Sequence, residues 1–418
     1  MTKVTDRKLI VGLDIGSAKI TTLIGEVLPG DEMNIIGVGS HDAQGMDKGG
    51  VNDLDSVVKT VQKALYEAEH MADCKISSVY LGVSGHHIRC LNEKGMVPIG
   101  DEEVTQDDVD NAIHTAKSIK LPDEHRILHV LPQEFSIDYQ EGIKNPIGLS
   151  GVRMEAKVHL ITCHNDMVKN IVKCVERCDL KVDQLIFSAL ASSYSVLTED
   201  EKELGVCLVD IGSGTMDIAI YTDGALRHTS VVPFAGNSVT RDIATVFGTP
   251  LGDAEAIKVR YGCALGQMVS REDTIEVPSV GGRPARCLQR QTLAEVIEPR
   301  YSELFSMIKS KLDEVSDDLI AQGDKLQLGA GVVLTGGAAQ IEGIVECAES
   351  VLQCQVRVGT PLRVSGLTEY VQAPTYSTAV GLLHYGMENQ QVRPIEQKQI
   401  SVVSNMMKQL HSWFKGEF

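Results

Sequence analysis

The sequence predicts an α/β protein of two related lobes that close on a phosphate-bearing ligand, and three observations lead there. The runs Ile10-Val11-Gly12-Leu13-Asp14-Ile15-Gly16-Ser17 and Val206-Cys207-Leu208-Val209-Asp210-Ile211-Gly212-Ser213-Gly214-Thr215 share one pattern: an apolar stretch, an Asp, then a glycine turn. Such a stretch reads as a strand covered on both faces. The Asp ends it where a metal-bound water can be held, the glycines let backbone N–H groups approach an anion, and Ser17, Ser213 and Thr215 add hydroxyl donors. A second apolar strand follows each turn, at 20–27 and 216–221, where a P-loop would open a helix, so each unit is a hairpin. Asp-x-Gly also makes ordinary hairpin turns, but two such loops facing each other across a cleft form a clamp. The third observation is Gly331-Val332-Val333-Leu334-Thr335-Gly336-Gly337-Ala338, an apolar strand ending in paired glycines where a flat ring can lie against backbone.

Composition sets the limits. A chain of 418 residues, 43% apolar and 23% charged, has ample core for two or more soluble domains. Its formal charge of −18 argues against non-specific nucleic-acid binding, because most of the surface repels phosphate. Residues 1–8 are polar and 9–13 too short for a secretory signal, and no run approaches the ~20 apolar residues that span a bilayer. The ten cysteines are scattered without a C-x-x-C pair, which points to a reducing compartment, the cytosol. Cys174 and Cys178, four apart, read as core packing or neutral surface rather than as a site.

Taken in order, residues 9–39 form the first strands, and 52–71 a helix capped by Asn52 with Leu54, Val57, Val58, Val61, Ala64, Leu65 and Ala68 along one face. A strand at 79–83 leads into a small α+β insertion. Its parts are an acidic-fronted helix at 102–118, with Thr105 and Asp108 at capping-box spacing, and strands at 126–139 and 153–163 around a Pro/Gly-rich loop. A helix at 166–178, a strand at 182–187 and a small-residue helix at 189–197 follow, the last a crossing between halves. Beyond the second hairpin come helices at 237–247 and 251–261, a strand with a Gly-Gly turn at 274–284, and a long helical stretch at 292–320 interrupted at Pro299. Glu255 and Lys258, at i, i+3, put a carboxylate and an ammonium on one helical face, suited to ribose hydroxyls and base if the loops flank them and to a surface ion pair otherwise. A helix at 376–385 returns to the first half, and residues 387–401, Gln-rich and broken by Pro394, read as a flexible linker.

At the far end, Val403, Met406, Met407, Leu410, Trp413 and Phe414 recur at helical spacing, with Lys408, Gln409, His411, Ser412 and Lys415 on the other side. Such a helix either docks on the body or lies in a membrane interface. The long linker, and the single Trp beside Phe414 and flanking lysines, favour the membrane.

Strand-loop, strand-loop, Glu-x-x-Lys and Thr-Gly-Gly in that order resemble the actin/Hsp70/sugar-kinase superfamily, which holds Mg-ATP between two related halves. Within it, the insertion after 79–84 and the linker with terminal helix resemble the FtsA family of bacterial cell-division proteins. So do Gly45-Met46-Asp47-Lys48-Gly49-Gly50-Val51, Pro132-Gln133-Glu134-Phe135, Ile143-Lys144-Asn145-Pro146-Ile147-Gly148-Leu149, His159-Leu160-Ile161-Thr162 and Tyr376-Ser377-Thr378-Ala379. The likeness spans essentially the whole chain. It implies an actin-like, two-lobed ATPase fold with a small α+β inserted subdomain and a C-terminal amphipathic helix. It divides the chain into core at 1–84, insertion at 85–163, first half continued at 164–203, second-half core at 204–240, outer subdomain at 241–320, second-half core at 321–362, a return at 363–386, linker at 387–401 and membrane helix at 402–418.

By the same resemblance the chain is a peripheral protein of the cytoplasmic (inner) membrane face at the division site. It binds ATP and Mg2+, polymerises with itself, tethers filaments of the tubulin-like GTPase FtsZ and recruits later division proteins through the insertion. Asp14, Gly16, Ser17 and Lys19 would hold phosphate and Mg on one side, and Asp210, Gly212, Ser213, Gly214 and Thr215 on the other, with Asp14 and Asp210 reaching Mg through water. Gly236 and Asn237 would close on the phosphates, Glu255 and Lys258 take ribose, and Gly336, Gly337 and Ala338 the adenine. FtsZ would meet the outer subdomain, with Arg300 the candidate for its acidic tail.

The chain departs from the pattern at Phe187-Ser188-Ala189-Leu190, where active ATPases of the superfamily present an acid or amide to the attacking water, and at Ser213, where a third glycine is common. At most a weak ATPase is expected. A small-molecule kinase of the same fold, with Asp210 as base, is the competing reading; 4% aromatics and a lipid-seeking tail speak against it. A chaperone-type ATPase would need a peptide-binding domain after 386.

Overall fold

A computed structural model describes residues 8–30, 32–100, 102–321 and 325–392. The terminal amphipathic segment lies outside the described residues.

Two sheets carry the two lobes. The first runs Lys181–Phe187, Ser78–Val83, Leu9–Ile15, Lys19–Leu28, Glu32–Asp42, Val364–Gly366, and the second Ala225–Val232, Met216–Thr222, Val206–Ile211, Val332–Thr335, Val356–Val358. Each has at its centre an antiparallel hairpin whose first strand also pairs in parallel with a later strand: Leu9–Ile15 with Ser78–Val83, and Val206–Ile211 with Val332–Thr335. The apolar runs are therefore buried from both faces, as near-continuous hydrophobic strands require.

Helix Leu54–Ala72 lays Val57, Val61, Ala64, Leu65 and Ala68 on the first sheet. Its cap is Asp53, not Asn52: the Asp53 carboxylate accepts the N–H groups of Asp55 and Ser56, while the N–H groups of Asn52 and Asp53 both donate to Gly45 O and hold that stretch in a turn. A carboxylate also complements the positive end of the helix better than an amide.

The insertion is a four-stranded antiparallel sheet, ordered Arg89–Pro98, Arg153–His164, His125–Ile137, Gln140–Ile143, covered by helix Gln106–Lys117. That helix starts four residues later than its acidic front suggested, because the Thr105–Asp108 capping box closes there. Arg89–Pro98 has no sequence counterpart above; its outer face is polar and its inner face weakly apolar, so no run marks it.

Between the lobes pass two helices, Ser188–Val196 and Ser377–Val392. Their cluster, with Ala189, Leu190, Ala191, Val380, Leu382 and Leu383, joins apolar residues of both sheets into one core. They pack so closely that a Cβ on Gly381 would stand 1.8 Å from Ala191 O. The second helix runs through Gly386 to Val392, so the first residues expected in the linker are helical. Met387 is buried and the Asn389 side chain donates to Tyr385 O at 2.9 Å.

In the outer part of the second lobe, helix Arg290–Ala321 continues across Pro299, where an interruption was expected. A proline inside a helix costs ~3 kcal/mol. Burying Tyr301, Leu304, Phe305 and Ile308 just beyond it, at about 1.5–3 kcal/mol each, outweighs that. The expected strand at 274–284 is instead a hairpin, Thr274–Val277 with Arg286–Gln289, whose connection holds Gly281 and Gly282 at positive φ.

Candidate phosphate-binding cleft

The tips of the two hairpins meet. In the first, Gly16 N–H donates to Lys19 O at 2.9 Å and closes the turn, and Ser17 Oγ accepts Gly49 N–H at 3.2 Å. In the second, Gly212 N–H donates to Thr215 O at 3.0 Å. A Cβ on Gly214 would lie 2.8 Å from Ser17 Oγ and 3.0 Å from Lys48 Cα, so the loops form a common floor. Lys19 is exposed, while Ser213 Oγ is buried with no hydrogen-bond partner. A buried hydroxyl left unpaired is costly unless a ligand completes it.

Three carboxylates gather at this floor. Asp210 Oδ2 accepts Ser192 Oγ at 2.6 Å from helix Ser188–Val196 and Thr378 Oγ1 at 3.0 Å from helix Ser377–Val392. Asp217 accepts Ser84 Oγ at 2.5 Å and Thr215 Oγ1 at 3.4 Å. Burial, then the charge of Asp210, pushes Asp14 up to about 7. Burial is also the leading cause that pushes Asp217 up to about 8, with Asp210 and Asp14 adding to it, and it raises Asp210 despite two hydroxyl donors. Among the described residues, no Lys, Arg or His pairs with any of the three. The cluster is short of positive charge.

The other wall is tighter than its sequence suggested. Lys258 is buried and its Nζ donates to Glu255 at 2.7 Å, Thr240 Oγ1 at 2.9 Å and Gly236 O at 3.2 Å, and Thr240 also bonds Glu255. Burial pulls the ammonium below the lysine range against the pull of Glu255. A Cβ on Gly236 would stand 3.1 Å from Ala338 Cβ and 3.5 Å from Lys258 Nζ, so Gly236, Lys258 and Ala338 converge. Tyr301 OH donates to Ala338 O at 3.0 Å and fixes that turn. Gly236 and Asn237, expected to close on the phosphates, donate their N–H groups to Gly212 O at 3.2 Å and Ser213 O at 2.8 Å and so brace the second hairpin. Gly336, at φ +89°, presses on Asp210: a Cβ there would lie 2.3 Å from Oδ1. Gly337 faces Thr375.

Arg300 takes no part in the bonds above. It is half-buried and holds Asp242 with two bonds, 2.6 and 3.1 Å, while also bonding Glu303. Asp217, Ser84, Ser192, Thr378 and Thr240 escaped the sequence reading. Of these, Thr378 lay within the family-like stretch Tyr376-Ser377-Thr378-Ala379, and Asp217 left a signal as the sole charge in the apolar strand Met216–Thr222.

Comparison with known proteins decides the family. Family models match residues 207–381 as cell division protein FtsA, 85–162 as the SHS2 domain inserted in FtsA, and 124–266 as type IV pilus assembly protein PilM. The chain is 66% identical over 420 residues to cell division protein FtsA of Escherichia coli (strain K12), covering 100% of each. The chain belongs to the FtsA family of cell division proteins. FtsA of Buchnera aphidicola subsp. Schizaphis graminum is 50% identical, with 99% of each chain covered, and that of Pseudomonas aeruginosa 51%, with 93% of this chain and 92% of that one.

Among solved structures, the PilM–PilN type IV pilus biogenesis complex superposes with a TM-score of 0.65 at 16% identity, over 92% of this chain and 99% of that one. MreB5 of Spiroplasma citri bound to ADP gives 0.53 at 13%, over 92% and 98%. The fold is actin-like, and the FtsA-family insertion coincides with the four-stranded sheet described above. Among the described residues, no helix is long and apolar enough to cross a membrane.

Proposed function

We propose that this chain binds Mg-ATP between its lobes and uses it as a clamp that holds them in a polymer-competent arrangement. In this reading the chain forms actin-like filaments and tethers FtsZ filaments to the cytoplasmic membrane at the division site through its terminal segment. Later division proteins are recruited by the insertion. The observation that carries it is the floor of the cleft: two opposed hairpins, an unpartnered Ser213 hydroxyl, and three carboxylates, Asp210 and Asp217 buried and Asp14 half-buried, that have no cationic partner among the described residues. That donor set fits a magnesium-bound phosphate, since Mg2+ keeps much of its water and is approached by few carboxylates. Asp14 and Asp210 would hold it through water, and it would supply the positive charge the site lacks.

Family membership supports the reading, as do the solved structures of MreB5 of Spiroplasma citri with ADP and AMPPNP. Gly16, Ser17, Ser213, Gly214 and Thr215 line the phosphate side, while Gly236, Glu255, Lys258, Gly337 and Ala338 form the nucleoside wall, with Gly336 shaping it from behind. A ligand that binds the closed arrangement preferentially shifts the lobes toward it. Titration with a fluorescent ATP analogue tests the proposal: saturable binding that weakens with EDTA and in Asp210→Asn supports it. No binding at millimolar analogue with magnesium overturns it.

A further inference from the structure

The insertion leaves the first lobe at Ser84-Gly85 and returns at Cys163-His164, yet its face is fastened to the second lobe. Three of its strands converge on one strand, Ala225–Val232. Asn92 Nδ2 donates to Arg227 O at 3.1 Å, Gln133 Nε2 to Leu226 O at 2.8 Å, and His159 shares a bond with Thr229 Oγ1 at 3.0 Å. Asn92 joins the other two: its Oδ1 accepts from His159 Nδ1 at 2.7 Å and from Gln133 Nε2 at 3.2 Å. Burial holds the imidazole neutral, down at about 3, so Nδ1 is the donor and Nε2 accepts the Thr229 hydroxyl. Beside them Glu134 lies between Lys157 at 2.5 Å and the buried Arg227 at 3.4 Å.

The strand so gripped is the third of the meander that begins with the second phosphate hairpin. Met216–Thr222 pairs with Ala225–Val232 over its whole length. A separate link sits at the root of the insertion, where Ser84 donates to Asp217 and shares a 3.2 Å bond with Thr215. The insertion is thereby tied at its root to the hairpin that would carry the phosphates, and by its face to the strand paired with that hairpin.

We infer that the inserted subdomain reads the nucleotide state of the cleft through these two links. Ser84 meets Thr215 and Asp217 at its root, and the face of Asn92, Gln133, Glu134 and His159 is latched to Leu226–Thr229. The inference rests on the ATP reading above. A displacement of Thr215 or Asp217 reaches Ser84 directly. Rotation of the second sheet against the first carries Ala225–Val232, and so must swing the insertion about its covalent root or break the latch. Coupling of this kind requires two sites and a body with different contacts in the two states, and the insertion spanning both lobes is such a body.

Hydrogen exchange on the full-length protein, with Mg-ATP, with Mg-ADP and without nucleotide, tests it. In the wild type, amides of Arg89–Pro98 and His125–Ile137 should change exchange rate by at least about fivefold between ATP and the nucleotide-free state, the lower end of ordinary coupling. The double variant Glu134→Gln, Thr229→Val leaves the cleft residues in place and should still bind the fluorescent analogue while losing that response. Unaltered exchange in helix Arg290–Ala321 reports that it is folded; if it is not, the two single variants are read instead. Analogue binding without any response in the wild-type insertion overturns the coupling alone, as does a response that survives in the variants. No analogue binding in the wild type overturns both readings.

Discussion

Asp210 and Asp217 stand directly opposite each other in the Val206–Ile211 and Met216–Thr222 pair. Like charges at opposed positions repel, and here both are buried. The first hairpin has Thr21 opposite Asp14. The second lobe therefore carries the greater electrostatic load, and several measurable properties depend on it.

The stability of the nucleotide-free protein should fall as pH rises. Asp14 at about 7 and Asp217 at about 8 lie above the ordinary carboxylate value near 3.9, so between roughly pH 4 and 8 the folded state keeps protons that the unfolded chain has released. Stability contributed by the protonated forms is present at the acid end and lost through that window. Asp217→Asn removes one titrating group and should gain on the wild type in thermal melts as pH goes from 6 to about 9. A difference that does not change with pH would refute the assignment.

Gly336→Ala should be severe and Gly337→Ala mild. The first places a Cβ at φ +89° and 2.3 Å from Asp210, adding left-handed strain of roughly 1–2 kcal/mol to overpacking of about 1–3 kcal/mol. At Gly337 the nearest atom to such a Cβ is Thr375 Oγ1 at 3.4 Å, ordinary contact. Urea denaturation of the two variants ranks them, and equal losses would contradict the packing described.

ATP turnover should be slow. Helix Ser188–Val196 brings only serine hydroxyls toward the cleft, and Ser192 is engaged with Asp210 and Thr378. General-base help is worth ~10²–10⁴-fold in rate, and this helix has no carboxylate or amide to provide it. Many turnovers per second from purified protein would show that another group does.

At Arg300, capture of an acidic FtsZ tail would compete with Asp242 and Glu303. Asp242→Asn frees much of the guanidinium and should strengthen retention of an FtsZ tail peptide, while Arg300→Glu should weaken it and lower the melting temperature, because three carboxylates then meet. Retention unchanged in both variants removes Arg300 from the interface.

The terminal segment should bind lipid weakly as a monomer and firmly in filaments. Six apolar side chains contribute at most about 1.5–3 kcal/mol each, and ordering a helix costs ~1–2 kcal/mol per residue. A net charge of −18 opposes approach to anionic lipid. Polymerisation would raise the effective concentration of neighbouring terminal segments. Trp413, the only tryptophan, should shift its emission to the blue with vesicles, more so under polymerising conditions, and Trp413→Glu should abolish membrane binding with ATP affinity intact. An unmoved emission maximum, with a truncated chain that still floats with lipid, would make the segment a docking helix.

What the sequence determined alone is what local rules govern. Apolar runs ending in Asp and glycine specify the two hairpins, and the Thr105–Asp108 box sets a helix start, because strand burial, turn geometry and capping involve residues a few positions apart. The tertiary structure decided what depends on distant partners. Asp217 became part of the site only by meeting Ser84, 133 positions earlier, and Arg300 left the free surface by meeting Asp242, 58 positions earlier. Pro299 stays helical because burial beyond it outweighs its local cost, and Gly236 and Asn237 brace a loop because their N–H groups find its carbonyls first. Each outcome turns on which donor, charge or apolar surface reaches a group when the lobes close, and spacing along the chain does not carry that.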